Sequence, residues 1–243
     1  MKLEGRAALV TGAGRRLGRA IAVALGARGM HVAVHYGTSV SGARETATEI
    51  ERGGSRAVCL AADLTEPDAP AALVDAAVRA LGRLDVLVNS AAVMVRTPVG
   101  EVTPAAWDAM FAVNLRAPFF TSQAAAPHLA RHQGAIVNLA DLAAFETWPG
   151  YIPHGVTKAG VVQMTRALAR ALAPNVRVNA VAPGTVLLPE SWPEDTGERL
   201  AESTPLRRLG SPDDVTRTVL FLLDSDYVTG ETIVVDGGRH VRC

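Results

Sequence analysis

Lysine is nearly absent from this chain: of its 24 basic residues only Lys2 and Lys158 are lysine, and the rest are arginine. Cysteine is almost as scarce. Cys59 lies in a strand-like run and Cys243 stands last, so the pair supplies neither a disulfide framework nor a metal-ligand set. Neither sign of charge is in excess, with 24 basic against 24 acidic residues, which excludes the basic surplus that grips nucleic acid or anionic lipid. Apolar residues make up 49% of the sequence. None of their runs reaches the roughly 18 residues of a membrane helix, so a soluble chain without a membrane partner is expected. The strand-like run Arg6-Ala-Ala-Leu-Val-Thr11 begins after five residues, which leaves no room for a signal segment. A cytoplasmic location is therefore expected. His128 and His132 share a helical face, but no third ligand or metal-binding motif accompanies them, and no metal is expected.

What the chain does have is alternation. Apolar β-type runs at 6–11, 31–36, 56–61, 84–89, 134–139, 176–181 and 231–235 alternate with Ala-rich helical stretches near 17–29, 41–52, 67–81, 104–131, 152–173, 190–203 and 212–224. That pattern predicts an α/β fold, a parallel sheet covered by helices on both faces, in one domain spanning 1–243. Thr103-Pro104 and Ser211-Pro212 read as helix starts, a hydroxyl cap followed by proline at the first helical position. The proline- and glycine-rich stretch from Pro183 to Pro205 reads as a lid over a site.

The first strand ends in Thr11-Gly-Ala-Gly-Arg-Arg-Leu-Gly18 and runs straight into a helix. Gly12 and Gly18 permit a tight turn and close backbone approach, while Arg15, Arg16 and Leu17 lead into a helix N-terminus whose free N–H groups suit a pyrophosphate. The second strand should carry the residue that selects the dinucleotide, and it ends His35-Tyr36-Gly-Thr38-Ser39 with no carboxylate. An NAD-binding site places an acid there, so its absence, with Arg15, Arg16, Thr38 and Ser39 nearby, points to NADP(H). Lys158 is singled out by composition alone, since a lysine kept inside an arginine-rich chain suggests a compact ammonium with a tunable pKa.

After the glycine turn come, in order, Asp63-Leu64, Asn89-Ser-Ala91-Ala, Asn114, a helix with Lys158, Pro183-Gly184 and Val235-Asp-Gly-Gly238. This ordered set resembles the short-chain dehydrogenase/reductase family over essentially the whole chain. The Arg-Arg-Leu-Gly ending of the turn, the His35-Tyr36 strand end and the tail Val235-Asp-Gly-Gly-Arg-His240 resemble the pteridine reductases within it. The resemblance implies a Rossmann-type doubly wound seven-stranded parallel sheet and a homotetramer, and it implies roles. Asp63 would contact adenine, Asn89 would support the middle of the cofactor, Asn114 would hold a relay water, and Lys158 would bind the nicotinamide ribose.

Two positions depart from the common family pattern. Asp141 stands where most members have serine, as in the pteridine reductases, and His154 stands where the family has its catalytic tyrosine. His154 and Lys158 lie one helical turn apart and share a face, so a histidine can fill the tyrosine's place. Tyr151 is a second phenol nearby, with the wrong spacing to Lys158. The aromatic ring that stacks a pterin is replaced by Met94. With Trp148, Leu187, Leu188 and Trp192 also near, a compact apolar small-molecule substrate is expected. The reading is an NADPH-dependent reductase of a C=N or C=O bond using Asn114, Asp141, His154 and Lys158; the alternative is a silent NADP(H)-binding sensor or assembly partner.

Overall fold

Short runs rich in Ala, Val, Leu and Ile, too short for helices, form the strands β1 (Ala7–Val10), β2 (His31–Tyr36), β3 (Ala57–Ala61), β4 (Val86–Asn89), β5 (Ala135–Leu139), β6 (Arg177–Pro183) and β7 (Thr232–Val235); the inner ones are buried on both faces and the edge strands β3 and β7 only partly. A computed structural model describes residues 1–188 and 195–241. The strands make one sheet in the order β3-β2-β1-β4-β5-β6-β7, every pair parallel. The expected seven-stranded doubly wound sheet is the fold observed.

Alternation along each strand splits the core in two. Leu9, Leu87, Ile136 and Val178 face one layer of helices, α3 (Ala69–Leu81), α5 (Ala117–Ala130) and α6 (Ile152–Leu172). Val10, Val86, Val137 and Val181 face the other layer, α1 (Arg16–Ala27), α2 (Val40–Arg52) and α8 (Pro212–Asp224). Chain order reverses between β1 and β4, which opens a crevice at the carboxyl ends of the strands.

The two proline starts behave as expected. Thr103 accepts from Ala106 N–H at 3.2 Å at the head of α4 (Pro104–Phe111), and Ser211 and Asp214 form a reciprocal capping box at the head of α8. The helix expected over 104–131 is not uniform: a π-helical turn, Ala112–Arg116, joins α4 to α5. Widening the helix there turns Asn114 into the interior, and such turns recur at functional sites. In the expected 190–203 helix the structure shows α7 (Thr196–Ser203) with Asp195 at its head, and residues 190–194 lie outside the described residues.

Candidate active site

One cavity of about 850 Å³ runs along the carboxyl edge of the sheet from the glycine turn to the start of α6. Its first half is built from backbone. Gly12 has φ +66, and a Cβ there would lie 2.9 Å from Ala91 Cα; a Cβ on Gly14 would lie 2.9 Å from Ser39 O. Thr11 Oγ1 accepts from Ser90 N–H and Ala91 N–H at 2.9 and 3.0 Å, joining the ends of β1 and β4. The first turn of α1 has no side-chain cap, so its N–H groups face the cavity unclaimed by a capping residue. The glycine cradle and the bare helix start fit a dinucleotide pyrophosphate.

Gly12, Arg15, Arg16, Leu17, Gly18, His35, Tyr36, Thr38, Ser39, Asp63, Leu64, Ala91, Lys158, Pro183 and Gly184 all line this cavity, as the sequence suggested. Their tasks differ. His35 props the turn from beneath: Nδ1 accepts from Gly12 N–H at 3.1 Å and Nε2 donates to Ala62 O at 3.1 Å. Burial pushes its pKa down. Asp63 is held below the usual carboxylate range by the Thr65 hydroxyl, then by the Thr65 N–H. Arg15 is exposed at the cavity and, among the described residues, free to turn toward a ligand, whereas Arg16 is committed elsewhere. With φ +52, Arg16 crosses the cavity and donates to Leu187 O at 2.7 Å and Leu188 O at 3.3 Å.

Asn89 and Asn114 are absent from the cavity wall. Asn89 is buried, and its amide donates to Asn138 Oδ1 at 2.9 Å and Ser122 Oγ at 3.0 Å. That corrects its assignment as a cofactor contact: alternation along β4 turns it toward α5, the same side as Leu87. Asn114 accepts from Val93 N–H and donates to Val93 O, both at 2.8 Å, and donates to Thr157 Oγ1 at 3.2 Å. Its amide is thus spent on protein groups, so its side chain is a brace rather than a water carrier.

The second half of the cavity carries the chemistry. Asp141 follows β5 and caps the 3-10 turn Leu142–Ala144, with Oδ1 accepting from Ala143 N–H at 2.8 Å. His154 sits in the first turn of α6, with Nε2 3.6 Å from Asp141 Oδ2 and Nδ1 3.3 Å from Val93 O. Lys158 is buried one turn further and donates to Leu139 O at 2.8 Å. Burial lowers its pKa, and the Asp141 charge opposes that shift. Asp141, His154 and Lys158 therefore meet as the sequence spacing implied.

Met94, Trp148, Tyr151 and Leu187 line the far end; the Leu188 side chain does not, and Trp192 lies outside the described residues. Trp148 stands edge-on to Tyr151 with ring centroids 6.3 Å apart, and its indole N–H donates to Glu146 at 2.8 Å. Sequence reading missed Arg239. Its guanidinium meets Glu146 Oε2 at 3.4 Å, donates to Thr185 Oγ1 at 3.3 Å and lies 5.8 Å from the Trp148 ring centre. The available signal was an arginine directly after Gly237-Gly238 in the tail.

Residues 12–240 match the family described as enoyl-(acyl carrier protein) reductase. The chain belongs to the short-chain dehydrogenase/reductase family. Versicolorin reductase of Emericella nidulans is 36% identical over 254 residues, covering 98% of this chain and 96% of that protein. The 3-oxoacyl-[acyl-carrier-protein] reductase FabG of Staphylococcus aureus is 35% identical over 242 residues, covering 97% and 98%. Among solved structures, the angucycline C-6 ketoreductase LanV with bound NADP superposes with a TM-score of 0.93 at 34% identity, covering 99% of this chain and 98% of that one. Among the described residues no helix is long and apolar enough to cross a membrane.

Proposed function

We propose that this short-chain reductase uses NADPH to reduce a ketone carbonyl on a compact, largely apolar ring system. The observation that carries the proposal is the single cavity that joins the glycine cradle to Asp141, His154 and Lys158. At the β2 end, Tyr36 stands where a carboxylate would meet a ribose hydroxyl. Arg15, Thr38 and Ser39 can instead hold a 2′-phosphate. When bound, NADPH supplies the hydride. Lys158 would hold the ribose hydroxyls and keep positive charge below the reacting oxygen, while Asp141 and His154 hold the proton.

A C=O bond is favoured over C=N because relatives are named as a ketoacyl reductase, a 3-oxoacyl reductase and a C-6 ketoreductase. Those names also favour turnover over binding alone. The likeness to pteridine reductases in the turn and at Asp141 then concerns the site's chemistry. Met94 in place of a stacking ring leaves a pterin without one face of its sandwich and suits a more apolar partner. His154 would take the place of the family's tyrosine. On the family resemblance we assign a cytoplasmic homotetramer, which light scattering on the purified chain would test.

Loss of NADPH absorbance with a panel of fused-ring ketones, cyclic imines and quinonoid pterins tests the function. Ketone turnover is expected. Turnover of imines or pterins alone would overturn the choice of carbonyl, and turnover of none would favour the silent binding protein.

A further inference from the structure

His154 takes the tyrosine's place in the chain and borders the cavity, but its ring is almost wholly covered. Its side chain is 2% exposed, and its Nε2 is fully covered and has no hydrogen-bond partner among the described residues. Asp141 lies at the cavity wall with its side chain 25% exposed. The Nε2 atom faces Asp141 Oδ2 at 3.6 Å, a gap too long for a hydrogen bond and short enough for one to form when a proton enters it. Asp141 Oδ1 is already used by Ala143 N–H, which leaves Oδ2 on the imidazole side.

The other ring nitrogen fixes the tautomer. Nδ1 faces Val93 O at 3.3 Å and Asn114 Nδ2 at 3.5 Å. The two amide protons of Asn114 already go to Val93 O and Thr157 Oγ1, so none remains for Nδ1. A carbonyl can only accept. Nδ1 therefore carries the proton in the neutral ring, and the Nε2 lone pair points toward Asp141. Asn114 secures this arrangement by holding Val93 through both its N–H and its C=O.

We infer that Asp141 is the residue that hands the proton to the substrate, and that His154 stands behind it as the store from which that proton comes. This rests on the reductase reading above. The pair holds one proton in the gap between Nε2 and Oδ2. In reduction that proton leaves Oδ2 and bonds to the carbonyl oxygen, whose carbon has gained the hydride and its electron pair. His154 is left neutral with its own proton on Nδ1, Asp141 is left as carboxylate, and one proton from solvent restores the pair through the open cavity. Among the described residues, the other charged or titratable groups that line this end of the cavity include Lys158 on the same helix, Tyr151 just before that helix and Arg96 on the segment after β4. The α4–α5 run contributes the uncharged amide of Asn114.

Two measurements test the inference. Long-range nitrogen–proton spectra of histidine-labelled protein without substrate, assigned by the signal lost in His154→Phe, should show the Nδ1–H tautomer for neutral His154. An Nε2–H tautomer would overturn the proposal even if no ketone is turned over, so this arm is separate from the reductase reading. In the active enzyme, Asp141→Gly should lose at least a hundredfold in kcat and regain part of it with formate, which fits where the carboxyl stood. His154→Phe, with His154→Gln as the variant of similar polarity should Phe not fold, should become dependent on buffer concentration, because external acids then recharge Asp141. A His154 variant inactive at every buffer concentration, beside an Asp141→Gly enzyme within tenfold of wild type, would make His154 the direct donor and overturn the order proposed.

Discussion

Replacing His35 with leucine should loosen the turn that carries the dinucleotide. The ring is buried and its nitrogens serve two different backbone groups, Gly12 N–H at 3.1 Å and Ala62 O at 3.1 Å. Because an N–H can only donate, Nδ1 is unprotonated and the single proton lies on Nε2. Leucine keeps the bulk and leaves both backbone groups without this partner. A net hydrogen bond contributes about 0.5–1.5 kcal/mol and an orphaned buried group costs about 1–3 kcal/mol, so a loss of about 2–4 kcal/mol is expected. Glutamine, which can accept and donate, should restore a good part of it. The same geometry sets a pH dependence. Burial lowers the His35 pKa in the folded chain, while the unfolded value stays near about 6.5. Between those two values the unfolded state binds more protons, so the His35 contribution is full above the unfolded value and is lost as pH falls through the folded one. Urea unfolding of the wild type, His35→Leu and His35→Gln at neutral pH and in acid steps measures both effects. A leucine variant as stable as wild type, with the same acid slope, would refute the reasoning.

Gly18→Ala should weaken NADPH binding at least tenfold in a fluorescence titration, because the new methyl would lie 2.2 Å from Gly12 O and force the turn apart. Arg15→Ala should weaken NADPH by about 1–3 kcal/mol, the scale of a lost charge-assisted hydrogen bond, and leave NADH less affected. Asp85 is fully buried and accepts from Arg6, from Arg83 twice and from Ala7 N–H; Asp85→Ala should cost about 2–4 kcal/mol in denaturant unfolding without changing NADPH affinity, since it lies at the opposite end of the sheet.

The sheet and its order were legible because each strand is a short apolar run between helical stretches, a pattern that survives without any tertiary information. The caps at Thr103 and Ser211 were legible for the same reason, being local. The π-turn at Ala112–Arg116 was not: one extra residue shifts the apolar register, but the Ala-rich run that follows has no sharp apolar stripe in which the shift would show. Asn89 was misassigned by position alone: it ends β4 at the crevice, but it shares the parity of Leu87 and so belongs to the α5 side. Its neighbours Ser90 and Ala91 reach the cavity instead. Arg239 was hidden because its partners Glu146, Trp148 and Thr185 lie far away in sequence. The Asp141, His154 and Lys158 spacing was legible, but spacing gives a shared face and not depth, which is why the covered position of Nε2 came only from the structure.

Depth also gives the scarcity of lysine a physical reading. Two arginines bridge several carbonyls at once: Arg16, at the surface, spans Leu187 O and Leu188 O, and the half-buried Arg177 donates to Leu222 O, Leu223 O and Val228 O. A rigid fork of five donors suits that work, and at Arg16 it holds a left-handed residue in place against a strain of about 1–2 kcal/mol. The consequence is a mechanical tie between the dinucleotide turn and the wall of the substrate end. Lys158 meets a different demand. It is 4% exposed, gives one proton to Leu139 O and still lines the cavity. An ammonium has three N–H groups, so two remain for whatever lies in the cavity beside Asp141, and they rotate as a compact point charge. A guanidinium would need a second carbonyl to fork across and more room under the first turn of α6. In a chain that meets nearly every other need for positive charge with arginine, this is the place where the smaller, partly uncommitted cation is required.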